Sequence, residues 1–146
     1  MIVSPVRQRK PRIGDVVQFA LPNGRFAYGR VLTEGVAFYR ETTDEPGQPP
    51  VGSRDYQFVV GVYDDVVRSP EHPVVGHDPS ADDEDDWPPP QCVRDVISGG
   101  WSIYHKGEMR PSSAEQCSGM EPVAAWDERH LVERLLAADD NAGDAG

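Results

Sequence analysis

One stretch of the sequence, residues 14–32, constrains the fold more than any other. It reads GDVVQFALPNGRFAYGRVL, in which two β-branched and aromatic runs flank the turn residues LPNG, a pattern typical of a β-hairpin. A two-residue Asn-Gly turn would pair Pro22 with Arg25, but proline has no N–H to donate to that ladder. A type I turn is favoured, because Pro22 then occupies a position whose φ it already fixes and Gly24 takes the left-handed conformation of a three-residue loop.

This turn determines which residues of the hairpin face each other. Phe19 is expected opposite Ala27, and Val17 opposite Gly29. Large residues then face small ones, which suits a strongly bent sheet. A glycine inside a strand also indicates a bulge or a close approach of another chain segment, and we expect one of these at Gly29.

Three further runs predict strands. Residues 36–40 extend the hairpin into a meander. The run YQFVVGVYDDVV, residues 56–67, is the most hydrophobic of the chain and is interpreted as the central strand. The run GGWSIYH, residues 99–105, is interpreted as the last strand, with Trp101 in the core.

A helix is predicted near the end of the chain, in WDERHLVERLLAAD, with Asp127 as its cap. Its apolar residues form one stripe at helical spacing: Leu131, Val132, Leu135 and Leu136. The predicted fold class is α+β, mainly β, with a small, strongly bent antiparallel sheet or partial barrel and a C-terminal helix that closes one side of it.

The 146 residues fit one domain. We expect a flexible basic N-terminus at 1–11, a single domain at 12–138 and a disordered tail at 139–146. Residues 69–91 contain six prolines and an acidic run, which is too polar to collapse and too rich in proline for a helix. These residues, the acidic loop, are interpreted as a mobile loop or an irregular excursion over the surface.

Charge narrows the class of partner. The chain has 25 acidic and 14 basic residues, for a net charge of -11, and residues 41–86 carry thirteen acidic residues against two basic ones. Such a surface repels phosphate backbones, so we expect no nucleic-acid partner. A basic protein fits better, although acidity that serves solubility alone is an open alternative.

The cellular location is predicted from the absence of targeting and membrane-spanning segments and from the cysteine content. The start of the chain lacks an apolar signal segment, and no run is long enough to span a membrane. Cys92 and Cys117 lie in no metal-binding or redox motif and are too few for a disulfide scaffold. We therefore expect a cytoplasmic protein with reduced thiols and no membrane partner.

The candidate binding residues are carboxylates beside an aromatic residue. Five consecutive acidic residues precede Trp87 and could imitate a row of phosphates in a basic cleft. Two more acidic residues end an apolar strand. The candidates are Asp64, Asp65, Asp82, Asp83, Glu84, Asp85, Asp86 and Trp87. The alternatives are a solvated linker for the run and turn formation for the strand-ending pair.

Catalytic and metal sites were considered and are not favoured. His72, His77 and Asp78 could bind a divalent ion and support a metal-assisted hydrolase, but their spacing matches no structural zinc pattern, and solvated loop histidines are favoured. No serine or cysteine lies in a nucleophile motif. We therefore predict no enzyme, no metal and no cofactor. A further alternative is an adaptor that holds a peptide in a groove around Phe19 and Tyr28.

The hairpin, the hydrophobic strand at 58–63 and the strand beginning at Trp101 together resemble the immunity protein 26 family of bacterial polymorphic toxin systems. The likeness covers residues 12 to about 105, with an acidic insertion at 71–90 and a C-terminal extension as departures. In the hairpin it rests on Gly14, Asp15, Phe19, Leu21, Pro22, Gly24, Tyr28, Gly29 and Arg30. The resemblance implies a protein that binds a cognate toxin and blocks it without chemistry of its own. A monomer is favoured, although the sequence does not identify the oligomeric state. A basic effector such as a nuclease is the favoured target.

Overall fold

The predicted hairpin lies inside a six-stranded sheet. The computed structural model describes residues 10–144, with side chains in the final helix described up to residue 140. Most of the expected flexible N-terminus therefore lies outside the described residues. The strands of this sheet are β1 (Asp15–Ala20), β2 (Phe26–Leu32), β3 (Gly35–Tyr39), β4 (Tyr56–Val62), β5 (Val74–His77) and β9 (Ala125–Trp126), in the order β5-β1-β2-β3-β4-β9.

A second, smaller sheet follows in the chain. It has three antiparallel strands in sequence order: β6 (Gln91–Arg94), β7 (Trp101–His105) and β8 (Glu108–Ser112). The helices are two single turns, α1 (Asp64–Val67) and α2 (Ala114–Cys117), and the long C-terminal α3 (Glu128–Asp144). The predicted fold class, mainly β with a C-terminal helix, is confirmed. Neither sheet closes into a barrel.

The register and the turn of the hairpin are confirmed. Phe19 pairs with Ala27 and Val17 pairs with Gly29. The N–H of Gly24 donates to the Leu21 carbonyl at 3.0 Å, and Gly24 has a φ of 85°. These are the features of a type I turn that ends in a left-handed glycine.

Gly29 is a point of close approach, one of the two alternatives expected. A Cβ at this position would lie 2.6 Å from Cγ1 of Val36 and 3.0 Å from Cε1 of Phe38. Both neighbours belong to β3, which pairs directly with β2. The glycine therefore lets β3 lie against the hairpin without a gap.

Two predictions about later strands are wrong. β4 lies second from the sheet edge rather than at its centre, and the apolar run that contains it breaks at Tyr63, after which α1 begins. The strand that begins at Trp101 is followed by two more. β8 carries charged residues and Pro111 and has no hydrophobic alternation, and β9 has only two residues. β9 also pairs parallel with β4, so the sheet is not purely antiparallel.

The main core lies between the six-stranded sheet and α3. It contains Val17, Phe19, Leu21, Ala27, Val31, Val36, Phe38, Phe58, Val60, Val66, Val67, Leu131 and Leu135. Asp127 caps α3 as predicted, because its Oδ1 accepts a hydrogen bond from the N–H of His130 at 2.9 Å. Leu131 and Leu135 of the predicted stripe are fully buried.

The tail predicted at 139–146 is helical as far as Asp144. Asp139 anchors this extension: its side chain is 7% exposed and forms an ion pair with Arg25 at 3.1 Å. Asn23 and Thr42 donate hydrogen bonds to the same carboxylate. The sequence analysis missed this helical part because DDNAGDAG is a polar stretch, and the partners of Asp139 lie far away in the sequence.

The second sheet has its own small core, which brings the two cysteines together. Cys92, Ile103 and Cys117 are buried in one cluster, with Trp101 packed against it. Both cysteines are free thiols. Burial and the neighbouring Cys117 raise the pKa of the Cys92 thiol to about 11. Among residues 10–144, no helix has both the length and the apolar composition needed to cross a membrane.

Candidate functional site

The acidic loop (69–91) is an ordered part of the fold. It contains β5, which pairs antiparallel with β1, and a short 3-10 helix at Asp83–Asp86. The expectation of a mobile or irregular excursion is therefore wrong. β5 completes the edge of the sheet beside β1, and Asp82 starts the 3-10 helix by accepting a hydrogen bond from the Asp85 N–H at 3.1 Å.

A buried arginine holds the loop onto the sheet. Arg30 on β2 is fully buried. Its Nε donates to the Asp78 carbonyl at 2.9 Å, Nη1 to the Asp85 carbonyl at 2.7 Å and Nη2 to the Ser80 hydroxyl at 3.0 Å. The carboxylate of Asp86 lies 3.4 Å from Nη2. Burying a guanidinium costs free energy unless its N–H groups have acceptors. The acceptors that Arg30 needs come from this part of the loop, which is therefore held against β2.

A second network reaches the loop through the carboxylate of Asp78, which is also buried. Its Oδ2 accepts hydrogen bonds from the Tyr39 hydroxyl at 2.5 Å, the Gly52 N–H at 3.1 Å and Arg54 Nη1 at 2.8 Å. Burial raises the pKa of Asp78, but these three donors outweigh it and hold the pKa below its usual value. Burial and the bond to Asp78 raise the pKa of the Tyr39 hydroxyl. Asp78 is thus an ionised group inside the fold.

Arg54 links this network to the acidic run. Its Nη2 lies 3.1 Å from Oδ2 of Asp85. The Ala81 N–H donates to the same oxygen at 2.7 Å. The hydrogen bonds from Ala81 and Arg54 lower the pKa of Asp85. Together, Arg30, Arg54 and the groups that they bind in residues 78–86 form what we call the arginine clasp.

The five consecutive carboxylates therefore do not behave alike. Asp85 and Asp86 are committed to the arginine clasp, and Glu84 pairs with Lys106, which lowers the pKa of that carboxyl. Asp83 remains 86% exposed, with Lys106 at the outer limit of an ion pair, 3.9 Å away. Asp82 is exposed beside it. The acidic run presents these two carboxylates most freely to solvent.

Trp87 is half-buried and is not a free aromatic anchor. It lines a cavity of about 390 Å³ together with Leu32, Val59 and the prolines at 88–90. This contact attaches the end of the acidic loop to the sheet. Only part of the ring is available to a partner.

Asp64 and Asp65 are the first two residues of α1 and are exposed. Asp64 lies 3.8 Å from Lys10, in an ion pair exposed to solvent. Acidic residues in the first turn of a helix favour it through the peptide dipoles. Within residues 10–144, no hydrogen bond or ion pair joins these two aspartates to the acidic run, so the candidates form two separate surfaces.

The expectation that the loop histidines are solvated is wrong for His72. This residue is buried, and its ring stacks on Phe19 with 4.1 Å between the ring centres. Its Nε2 lies 2.6 Å from Oε1 of Glu128 at the start of α3. The histidine therefore connects the acidic loop to the C-terminal helix.

The structure does not support the alternative metal site. His77 lies 3.0 Å from the carboxylate of Asp15, and Asp78 belongs to the arginine clasp. A different group, Glu71, His72 and Glu128, has ligand atoms within 4.8 Å of one another. Two of these three groups already form a hydrogen bond with each other. His72, His77 and Asp78, the residues of the metal-assisted hydrolase alternative, therefore do not form one site.

The adaptor alternative also fails. Phe19 and Tyr28 are both buried and belong to different clusters, so no groove lies between them. Two more residues that carry the family resemblance also have structural roles. Gly14 has a φ of 92°, and Trp101 is half-buried beneath Arg94.

Sequence reasoning missed Arg54 and gave no role to Arg30. One signal was available: Arg54 and Arg68 are the only basic residues between positions 41 and 86, among thirteen acidic ones. An arginine in such surroundings has many possible carboxylate partners. Its choice of Asp78 and Asp85 could not be derived from spacing.

Comparison with protein families gives a match over most of the chain. The family model of Immunity protein 26 matches residues 12–103, a span that includes the first six strands, the acidic loop and both clasp arginines. Comparison with curated proteins and with solved structures found no match.

Proposed function

Because this chain belongs to the immunity protein 26 family, it has a role in toxin immunity, and we propose that it acts by binding its cognate toxin domain, without catalysis. The observation that carries the proposal is the arginine clasp, which holds an acidic loop in one conformation. A surface that is ordered before binding loses less entropy on association. The protein is then an inhibitor whose contact residues are already in place.

The proposed partner is a basic effector, such as a nuclease. The net charge of -11 and the acidity of residues 41–86 support it. Opposite potentials speed encounter and disfavour wrong partners. A nuclease domain that binds phosphate backbones presents the basic cleft that such a surface complements.

Within the acidic run we assign two roles. Asp82 and Asp83, with the exposed part of Trp87, contact the toxin. Asp85 and Asp86 position them through the arginine clasp, and Glu84 does so through Lys106. Asp64 and Asp65 form a separate acidic edge that a large partner reaches in addition.

The proposed state is a monomer in the cytoplasm of the toxin-producing cell. The two free, buried thiols support a reducing compartment. The surface carboxylates favour a protein that does not associate with itself at neutral pH.

The experiment uses the toxin domain encoded beside this chain. Stopped-flow association is measured between about 50 and about 500 mM salt, because screening over this range shortens the reach of surface charges to a few ångströms. We expect the on-rate to fall about tenfold or more. If this toxin domain neither binds the chain nor is neutralised by it in cells, the proposal is wrong.

The position of the negative charges is tested with two variants that have the same net charge. The double variant Asp82→Asn/Asp83→Asn removes two negative charges from the proposed contact. The matched control, Glu108→Gln/Asp140→Asn, removes two from exposed positions elsewhere. A slower on-rate only for the first variant supports the assignment, and equal on-rates would remove the acidic run from the interface.

A further inference from the structure

A cavity of about 580 Å³ lies between the two sheets, away from the acidic run. On one side, the ends of β2, β3 and β4 contribute Val31, Val36 and Val62. On the other side lie Gln91 of β6 and Tyr104 of β7. Apolar walls with a few polar groups, in a cavity of this size, are typical of a small-ligand or peptide-binding site.

One arginine of this cavity has a side-chain donor with no acceptor in the described part of the chain. Arg68 follows α1 and lines the cavity, and its backbone N–H donates to the Asp64 carbonyl at 2.9 Å. Its Nε is buried and has no hydrogen-bond partner among residues 10–144. Among the arginines that the structure describes, it is the only one that is at least partly buried and has no carboxylate partner. Leaving a buried guanidinium N–H unsatisfied is costly.

The acidic groups of the cavity do not fill this role. Asp64 is 3.8 Å from Lys10, and the carboxylate of Glu34 accepts a hydrogen bond from the Tyr104 hydroxyl at 2.6 Å. Arg68 is therefore the cation in the lining that no anion in this part of the chain neutralises. In a protein with a net charge of -11, that exception indicates a missing anionic ligand.

We propose that this cavity binds the carboxyl terminus of a short apolar peptide, with the terminal carboxylate received by Arg68. A guanidinium presents two parallel N–H groups that match the two oxygens of a carboxylate. The valine walls accommodate the apolar side chains. Gln91 and Glu34 offer acceptors for peptide N–H groups, which a fatty acid does not have. This site is independent of the toxin proposal, since neither its residues nor its test involves the acidic run.

The test is an NMR titration of the whole chain with acetyl-Val-Val-Leu as the free acid, with its C-terminal amide and with octanoate. We expect saturable shifts with the free acid at amides of the cavity, such as those of Gly35 and Gly61. The amide should bind about tenfold more weakly, because it loses the charge-assisted hydrogen bond. Octanoate should bind more weakly than the peptide acid.

Variants locate the carboxylate contact. Arg68→Gln should weaken binding of the peptide acid about tenfold and remove the difference between acid and amide. Arg110→Gln, which changes an exposed arginine on β8, is the matched control and should bind like the wild type. Equal binding of acid and amide by the unchanged protein would overturn the proposal whether or not Arg68→Gln folds. So would binding of octanoate in preference to the peptide, or unaltered binding by a folded Arg68→Gln.

Discussion

Replacing Asp78 with asparagine tests the arginine clasp at its most connected carboxylate. The substitution keeps the shape of the side chain and one acceptor oxygen, so the Tyr39 hydroxyl or the Gly52 N–H retains a partner. The bond to Arg54, 2.8 Å long, loses its charge. A hydrogen bond to a charged group contributes about 1.5–3 kcal/mol. Removing one member of a fully buried ion pair costs about 3–5 kcal/mol.

The expected loss for Asp78→Asn is about 2 kcal/mol in the free energy of unfolding. It lies below the range for a fully buried pair because the Arg54 side chain is 31% exposed and keeps its contact with Asp85. For a chain of this size, this loss corresponds to a melting temperature lower by about 4–8 °C. The assay is urea unfolding followed by tryptophan fluorescence.

The same variant has a predicted pH dependence. The pKa of Asp78 is lower in the folded protein than in the unfolded chain, where it is about 3.9. Its stabilisation is therefore fully present above that value and is lost as the pH falls through the folded pKa. The stability difference between wild type and Asp78→Asn should be complete at neutral pH and shrink below about pH 4.

A control and a second measurement make the prediction decisive. Asp55→Asn removes the exposed partner of Arg40 and should cost less than about 0.5 kcal/mol. Amide exchange should quicken at Ala81, whose N–H donates to Asp85 in the loop that the clasp holds. A difference for Asp78→Asn below about 0.5 kcal/mol at neutral pH, or one independent of pH, would refute the reasoning.

Three further predictions concern positions outside the acidic run. Arg30→Met should lower the free energy of unfolding by about 3 kcal/mol or more in urea, because two loop carbonyls, that of Asp78 buried and that of Asp85 partly buried, lose their donor; a loss under about 1 kcal/mol would show that the loop does not need Arg30. Gly29→Val should cost about 2–3 kcal/mol, since a Cβ there already lies 2.6 Å from Val36, and a thermal melt unchanged from the wild type would contradict the close approach. The Cys92 thiol, with its pKa raised to about 11, should react with a disulfide reagent far more slowly in the native protein than in urea; equal rates would contradict its burial.

The first hairpin was predictable because its determinants are neighbours in the chain. Pro22 and Gly24 select the turn, and the turn selects the register that pairs Val17 with Gly29. The start of α3 was equally accessible, since its cap and apolar stripe lie within a few residues of each other. Local chemistry of this kind acts before any tertiary contact forms.

Later elements were missed where the local signal is weak or misleading. β8 contains Pro111 and charged residues, and it is a strand because β7 offers it a hydrogen-bonding edge. α1 interrupts an apolar run so that Val66 and Val67 can pack against the core. Neither choice is visible in hydrophobic periodicity, which reports what a segment can bury but not what lies opposite it.

The candidate site was also predictable only in part. The sequence shows an excess of carboxylates at 82–86, and their number supports a basic partner. Which of them face outward depends on Lys106 and on the arginine clasp, whose members come from separate strands and loops. Low hydrophobicity predicts that a segment is disordered only when no buried cation elsewhere in the fold needs the acceptors of that segment.

The sequence by itself therefore determined the charge balance, the hairpin, the C-terminal helix and the family likeness. Residue spacing and side-chain type within short stretches were enough to predict the two structural elements. The conformation of the acidic loop, the burial of His72 and the position of Arg68 in the cavity are decided only by the folded molecule. A buried polar group must find its partner wherever the fold places one. That partner is chosen by distance in space, which the order of residues in the chain does not reveal.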